Sequence, residues 1–122
     1  MDRFIYLKNL ETGVVEYCFD NSMTVSDDNF EFMKIGQNYR CKIVLVGDQM
    51  EAPTEHAKKY VVVSKENIGT KVFLKVKVND NFYYVLANGM NSNNGNVIFF
   101  EAFRKDLLEV NGKVNYFYNG LF

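Results

Sequence analysis

The sequence predicts a mostly β fold, a single small barrel or sandwich of about seven to nine short antiparallel strands. Three observations predict it. Tyr39, Cys41, Ile43 and Leu45 alternate strictly with Arg40, Lys42, Val44 and Val46, and a period of two puts successive side chains on opposite faces of a strand. The same rhythm returns where Val72, Leu74, Val76 and Val78 alternate with Lys71, Phe73, Lys75 and Lys77. The composition is rich in strand formers, with 11 Phe, 8 Tyr and a single proline.

Taken in order, Arg3–Lys8 and Val14–Phe19 read as a hairpin whose turn is Asn9–Gly13. Asp20–Asn29 is a polar, acidic connection. The strand Gln37–Val46 is entered after Gly36 and left at Gly47, and this twisted segment is similar to the opening strand of an OB-type barrel. Gly47–Lys59 is expected to be a charged loop, with one helical turn over Thr54–Lys59 as an option. It holds Pro53 and the single histidine, His56. Tyr60–Ser64 is a short strand and Glu66–Gly69 a turn. Lys71–Val78 and Phe82–Ala87 form a hairpin around Asn79-Asp80-Asn81. Asn88–Asn96 is an asparagine and glycine loop. Val97–Phe103 fits a strand, and Val97–Val110 also fits one helix with Phe99, Phe103, Leu107 and Val110 on a face; aromatic density and flanking glycines favour the strand. Asn111-Gly112 is a hairpin turn between Leu107–Val110 and Lys113–Tyr118. The 122 residues form one domain without repeat or linker.

A hydrophobic fraction of 48% argues for an ordered core, and a net charge of -1 lacks the basic excess of a protein that lives on phosphate backbones. The longest apolar run, Phe82–Ala87, is far below the ~18 residues of a membrane span. No signal-peptide pattern precedes the first strand, and the two cysteines are not arranged as CxxC, so reduced thiols and a cytoplasmic location are expected. Cys41 falls on the apolar side of its strand. Cys18 falls opposite Val15, Tyr17 and Phe19 and is expected to be the exposed thiol. A disulfide between them requires neighbouring strands.

Catalytic chemistry finds little support. His56 stands without a nucleophile elbow or an orienting partner, which fits a solvated surface histidine. Cys18, Cys41 and His56 offer no close ligand pair for zinc, and Asp20, Asp27, Asp28 and Glu31 lack the spacing of a calcium loop. Neither a cofactor nor a metal is expected, and the chain reads as a non-enzyme. Two binding surfaces remain. Asp27, Asp28 and Glu31 supply an acidic contact and Tyr116 and Tyr118 aromatic anchors for a protein partner, beside further aromatics at the chain ends, Phe4, Tyr6 and Phe122. The alternative is a single-stranded nucleic-acid surface of Lys71, Phe73, Lys75, Lys77 and Tyr83, with lysines on phosphates and aromatic rings under bases. The plain reading of that face is an ordinary solvated sheet surface.

Several stretches carry a resemblance: Cys18-Phe19-Asp20-Asn21-Ser22, Phe32-Met33-Lys34 with Gly36, Tyr39-x-Cys41-Lys42-Ile43-x-Leu45-x-Gly47, Tyr83-Tyr84, and Phe103–Leu108 with Val110-Asn111. They resemble a group of small bacterial β-domain proteins to which no activity is attached. The group is similar to the small accessory proteins of bacteria and their mobile elements, toxin-neutralising immunity proteins among them. The resemblance implies a non-enzymatic protein that neutralises a partner by occlusion, and it transfers no site residues.

Overall fold

The computed structural model describes residues 2–22, 29–87 and 95–120, so Asp27, Asp28, Phe122 and most of the asparagine loop lie outside the described residues. Among those described there is no helix. The described residues form nine strands: β1 Arg3–Asn9, β2 Val14–Asp20, β3 Asn38–Tyr39, β4 Cys41–Met50, β5 Lys58–Ile68, β6 Lys71–Val78, β7 Asn81–Leu86, β8 Val97–Val110 and β9 Lys113–Val114. The optional helices over Thr54–Lys59 and Val97–Val110 do not form, and β8 is one continuous strand.

β8 is the hub. One edge pairs antiparallel with β4 from Cys41↔Val110 to Met50↔Phe99, and the other pairs with β5 from Lys58↔Phe100 to Val61↔Val97. Through that second pairing β4, β7, β6, β5 and β8 close into a five-stranded ring. Not every pairing is antiparallel. β4 lies parallel to β7 at Val44↔Tyr84, β2 meets β8 in parallel at Phe19↔Asp106, and β1 meets β3 in parallel. β4 is the first ring strand in the sequence, but its neighbours are β7 and β8 rather than its successor β5, so it does not take the place expected of an OB barrel's opening strand.

Register shifts bend the long strands. Between Lys42 and Ile43 the ladder skips Leu108, and between Val46 and Gly47 it skips Phe103. An extra residue in one strand sharpens the twist needed to curl a sheet into a ring. Gly47 does not end its strand as expected. It sits inside β4, where a Cβ would collide with the carbonyl of Glu101, and this close approach of backbones is why glycine is required there. β5 likewise starts earlier and ends later than the apolar run Tyr60–Ser64, because Lys65 and Glu66 continue the pairing with β6 while facing open surroundings.

The interior of the ring is filled by Ile43, Leu45, Val62, Leu74, Val76, Val85 and Leu107, and the hairpin β1–β2 extends the same core with Ile5, Leu7 and Cys18. A second layer lies on the outside. Val44, Phe73, Tyr84 and Leu108 project outward from the ring and are covered by the C-terminal segment, whose Tyr118 packs 6.2 Å from the Phe73 ring. This strap explains why two positions on the polar side of their strands are buried.

Candidate functional site

The hairpin β1–β2 is patterned the opposite way from the simplest expectation. Asn9 accepts from the amides of Thr12 and Gly13, and Gly13 takes a φ of 75°, which fixes the turn. That turn sets the register Leu7↔Glu16 and Ile5↔Cys18. Directly opposed residues share a face, so burying Ile5 and Leu7 forces Glu16 and Cys18 inward and turns Val15, Tyr17 and Phe19 outward. Cys18, expected to be the exposed thiol, is fully buried, as is Cys41, and no disulfide joins them. Burial raises both thiols above their ordinary range, with the charge of Glu16 adding to the effect, and Cys41 is pushed up to about 12.

The inward Glu16 is fully partnered. The Tyr83 hydroxyl donates to its Oε2 at 2.7 Å and the Lys105 ammonium to its Oε1 at 2.7 Å. This triad joins the hairpin to β7 and β8. A second buried carboxylate, Asp106, accepts a bidentate pair from Arg104 at 2.5 and 2.7 Å and a hydrogen bond from Tyr118 at 2.6 Å.

Outward, the same register builds an aromatic ladder. Phe4 opposes Phe19 and Tyr6 opposes Tyr17. The ring centroids lie 4.9 Å apart for Phe4 and Phe19, 5.1 Å for Phe4 and Tyr17, and 4.3 Å for Tyr6 and Tyr17. Phe4 is 47% exposed, Tyr6 54%, Val15 67%, Tyr17 48% and Phe103 60%. Phe4, Val15, Tyr17 and Phe103 border one shallow depression between β2 and the β8 bulge, where β2 pairs with β8 at a single position. With ~200 Å² for a whole side chain, the five residues expose on the order of 500 Å² of largely apolar surface. That is near the upper end for the largest patch of a typical monomer, about 300–600 Å².

The residues singled out from the sequence divide. Glu31 is exposed on the segment that Arg3 ties to β1 through the carbonyls of Phe30 and Met33. Tyr116 is exposed, but Tyr118 is 2% exposed and is a core residue rather than an anchor. Lys71, Lys75 and Lys77 do share the outer face of β6, where Lys75 Nζ lies 4.7 Å and Lys77 Nζ 5.7 Å from the Phe82 ring centroid. Phe73 on that face is fully buried under the strap, so it offers no stacking surface. Tyr83 pairs with Val76 and points into the ring, and Phe82 is the aromatic that joins the lysines. Carboxylates are interspersed there: Lys42 lies 3.7 Å from Glu109 and 4.0 Å from Glu66, and Glu11, Glu109 and Lys75 line one cleft. Burial, then the charges of Glu66, Glu109 and Glu11, raises the Tyr84 hydroxyl above its usual range.

Val15, Tyr17 and Phe103 escaped the sequence reading. The signal was present in the alternation Val15, Tyr17, Phe19 against Glu16, Cys18, Asp20, but the apolar side of a strand is normally assigned inward. Asp20, read as part of an acidic loop, is buried and bound to Arg3 at 3.0 Å and to the amide of Ser22. Among the described residues no cluster of His, Cys, Asp and Glu could hold a metal ion, and no helix is long and apolar enough to cross a membrane. In comparisons with known proteins the chain matches no family model, no curated protein and no solved structure.

Proposed function

We propose that the chain is a non-enzymatic protein-binding module of inhibitor or immunity type, docking through the outer face of β1–β2 and acting by occlusion. The single observation that carries this reading is the exposed aromatic ladder of Phe4, Tyr6 and Tyr17, continued by the half-buried Phe19, with Val15 and Phe103 beside it. Tyrosine and phenylalanine give large contact area with few rotatable bonds, the composition found at interface centres. A standard interface takes about 800 Å² from each partner, so a patch of about 500 Å² supplies its apolar centre and leaves the rim to polar groups. Asp2, next to β1, and Glu31 are exposed acidic groups and favour a partner with an apolar centre and basic margin.

The test is retention of partner by the tagged protein in its native cells, with and without nuclease, for the wild type and for Tyr6→Lys combined with Val15→Lys. One stoichiometric protein that survives nuclease and is lost from the variant supports the reading. Retention untouched by the variant overturns the assignment of the face. Self-association of the purified chain, abolished by the same variant, would replace the foreign partner with a second copy.

The nucleic-acid reading keeps one specific observation. Counted from β5, the ring runs as a meander β5–β6–β7, with β7 parallel to β4 and β4 antiparallel to β8, which closes on β5. That is the neighbour order of an OB barrel whose last strand has moved to the front. In OB barrels the face of the second and third strands binds oligonucleotides, which here is the face of Lys75, Lys77 and Phe82. Fold order alone does not carry a function, and the buried Phe73 and neighbouring carboxylates weigh against it. Retained material that vanishes with nuclease and is lost in Lys75→Gln with Lys77→Gln would move the assignment to this face.

A further inference from the structure

A second feature lies on the inner side of the ring and shares Ala102 and Lys105 with the depression beside the aromatic ladder. β4, β5, β8 and the β6–β7 turn enclose a cavity of about 190 Å³. Its base includes Tyr60, only 4% exposed, whose hydroxyl has no hydrogen-bond partner among the described residues. No sealed side-chain oxygen or nitrogen in the described structure lacks a partner, so this hydroxyl reaches the open space of the cavity. An accessible donor on an otherwise buried side chain is available to a ligand atom that enters the cavity.

The charged side chains of its lining are Lys58 and Lys105, and Lys105 is already paired with Glu16. His56, Lys58 and Lys105 line the cavity, and no carboxylate does. Glu16 lies behind Lys105 and Tyr83 and is already bound by both. The turn adds Asn79 and Asn81 to the lining, with Asn79 held at a φ of 53°. The remaining wall is apolar, from Leu45, Val78 and Phe100. A cavity of about 150 Å³ can hold a benzene ring, so this one admits a ligand of similar body with a small charged group.

We propose that this cavity binds a small organic carboxylate, its charged end held by Lys58, His56 and the Tyr60 hydroxyl, its body against Leu45, Val78 and Phe100. Donors that line one cavity suit an oxyanion, because a hydrogen bond to a carboxylate is charge-assisted. The apolar wall separates this ligand from inorganic phosphate, which would leave Phe100 and Leu45 facing its hydration shell.

The proposal is tested on the full chain by two-dimensional amide NMR, titrating with sodium benzoate, sodium butyrate and sodium phosphate at constant ionic strength. Benzoate is expected to saturate with a Kd on the order of 1 mM and to shift amides around Tyr60, Asn79–Asn81 and Lys105. Tyr60→Phe, which keeps the ring, is expected to weaken benzoate about fivefold or more. Lys58→Gln, an exposed position that leaves the core untouched, is expected to weaken it by a similar factor and guards against a folding defect in the first variant. Shifts that stay linear with benzoate, or saturation unchanged in both variants, overturn the site. Saturation by phosphate with none by benzoate overturns the carboxylate assignment.

Discussion

The C-terminal strap provides the sharpest test of how this chain is held together. Tyr118 reaches Asp106, which is fully buried, with a 2.6 Å hydrogen bond, and its ring lies against Phe73. Tyr118→Phe removes only the donor. Arg104 still holds both carboxylate oxygens, so the loss is one charge-assisted hydrogen bond, about 1.5–3 kcal/mol. Tyr118→Ala also removes a buried aromatic body, which adds about 3–5 kcal/mol. A domain with roughly 5–15 kcal/mol of stability would then sit close to unfolding. Urea unfolding should show the Tyr118→Phe midpoint lowered with m unchanged, while Tyr116→Ala, at an exposed position, stays within about 0.5 kcal/mol of wild type. pH supplies an independent check. Burial, then the charge of Asp106, raises the Tyr118 hydroxyl above its usual value. A raised folded-state pKa gives a contribution that is complete below the unfolded value of ~10 and declines as pH rises beyond it. The gap between wild type and Tyr118→Phe should therefore be level from pH 6 to 9 and shrink at higher pH. A Tyr118→Phe protein as stable as wild type, with Tyr116→Ala the more damaging, would refute the strap as described.

Three further outcomes follow from the packing. Gly47→Ala forces a methyl group into the Glu101 carbonyl and should cost about 1–3 kcal/mol or more by thermal unfolding, although the φ there is ordinary. Phe73→Ala should cost about 3–5 kcal/mol of stability, because the ring is fully buried; an unchanged melting temperature would place Phe73 at the surface. Cys18 and Cys41, buried and with raised thiol pKa values, should react with a disulfide reagent at pH 8 only at the rate of opening, and faster in Tyr118→Ala; immediate labelling of either would contradict their burial.

Much of the fold was legible because period-two patterning is a local consequence of strand geometry. The hairpin of β1 and β2, the inner residues of β4 and the Asn111-Gly112 turn all follow from it. What the pattern does not contain is the partner of each face. Val44 and Phe73 look like solvent positions until the strap with Tyr118 covers them, and that contact joins residues far apart in sequence. Ring closure through β5 and β8 and the parallel contact of β4 with β7 are likewise decided by long-range pairing. The candidate site was half visible. Phe4 and Tyr6 were read as aromatic surface, whereas Tyr17 and Val15 were assigned inward because apolar sides usually are. Tyr118 was misread as an anchor because burial, not residue type, separates a core tyrosine from an interface tyrosine.

The inversion of β2 is the point where sequence and structure conflict most, and it has a testable cause. A slip of one residue against β1 would bury Tyr17 and Phe19 and expose Glu16, and hydrophobicity alone favours that arrangement. The observed register instead leaves Val15 and Tyr17 exposed, about 200 Å² of the patch, and buries a carboxylate. Aromatic pairs across the ladder return only about 0.5–1.5 kcal/mol each, which leaves most of that exposed area without a role in the isolated chain and fits a surface completed by a partner. The register must then be held by something other than hydrophobic burial. The Glu16 triad does this: its hydrogen bonds to Tyr83 and Lys105 exist only when Glu16 points inward. Buried ion pairs contribute little net stability compared with an apolar replacement, but they can select one register among several. Glu16→Leu with Lys105→Met should thus unfold within about 1–2 kcal/mol of wild type, while its amide NMR spectrum shows doubled peaks along β1 and β2. Lys105→Met alone strands the carboxylate and should be the less stable of the two. A double variant with one sharp set of hairpin peaks at wild-type positions would show that the turn, and not the triad, sets the register.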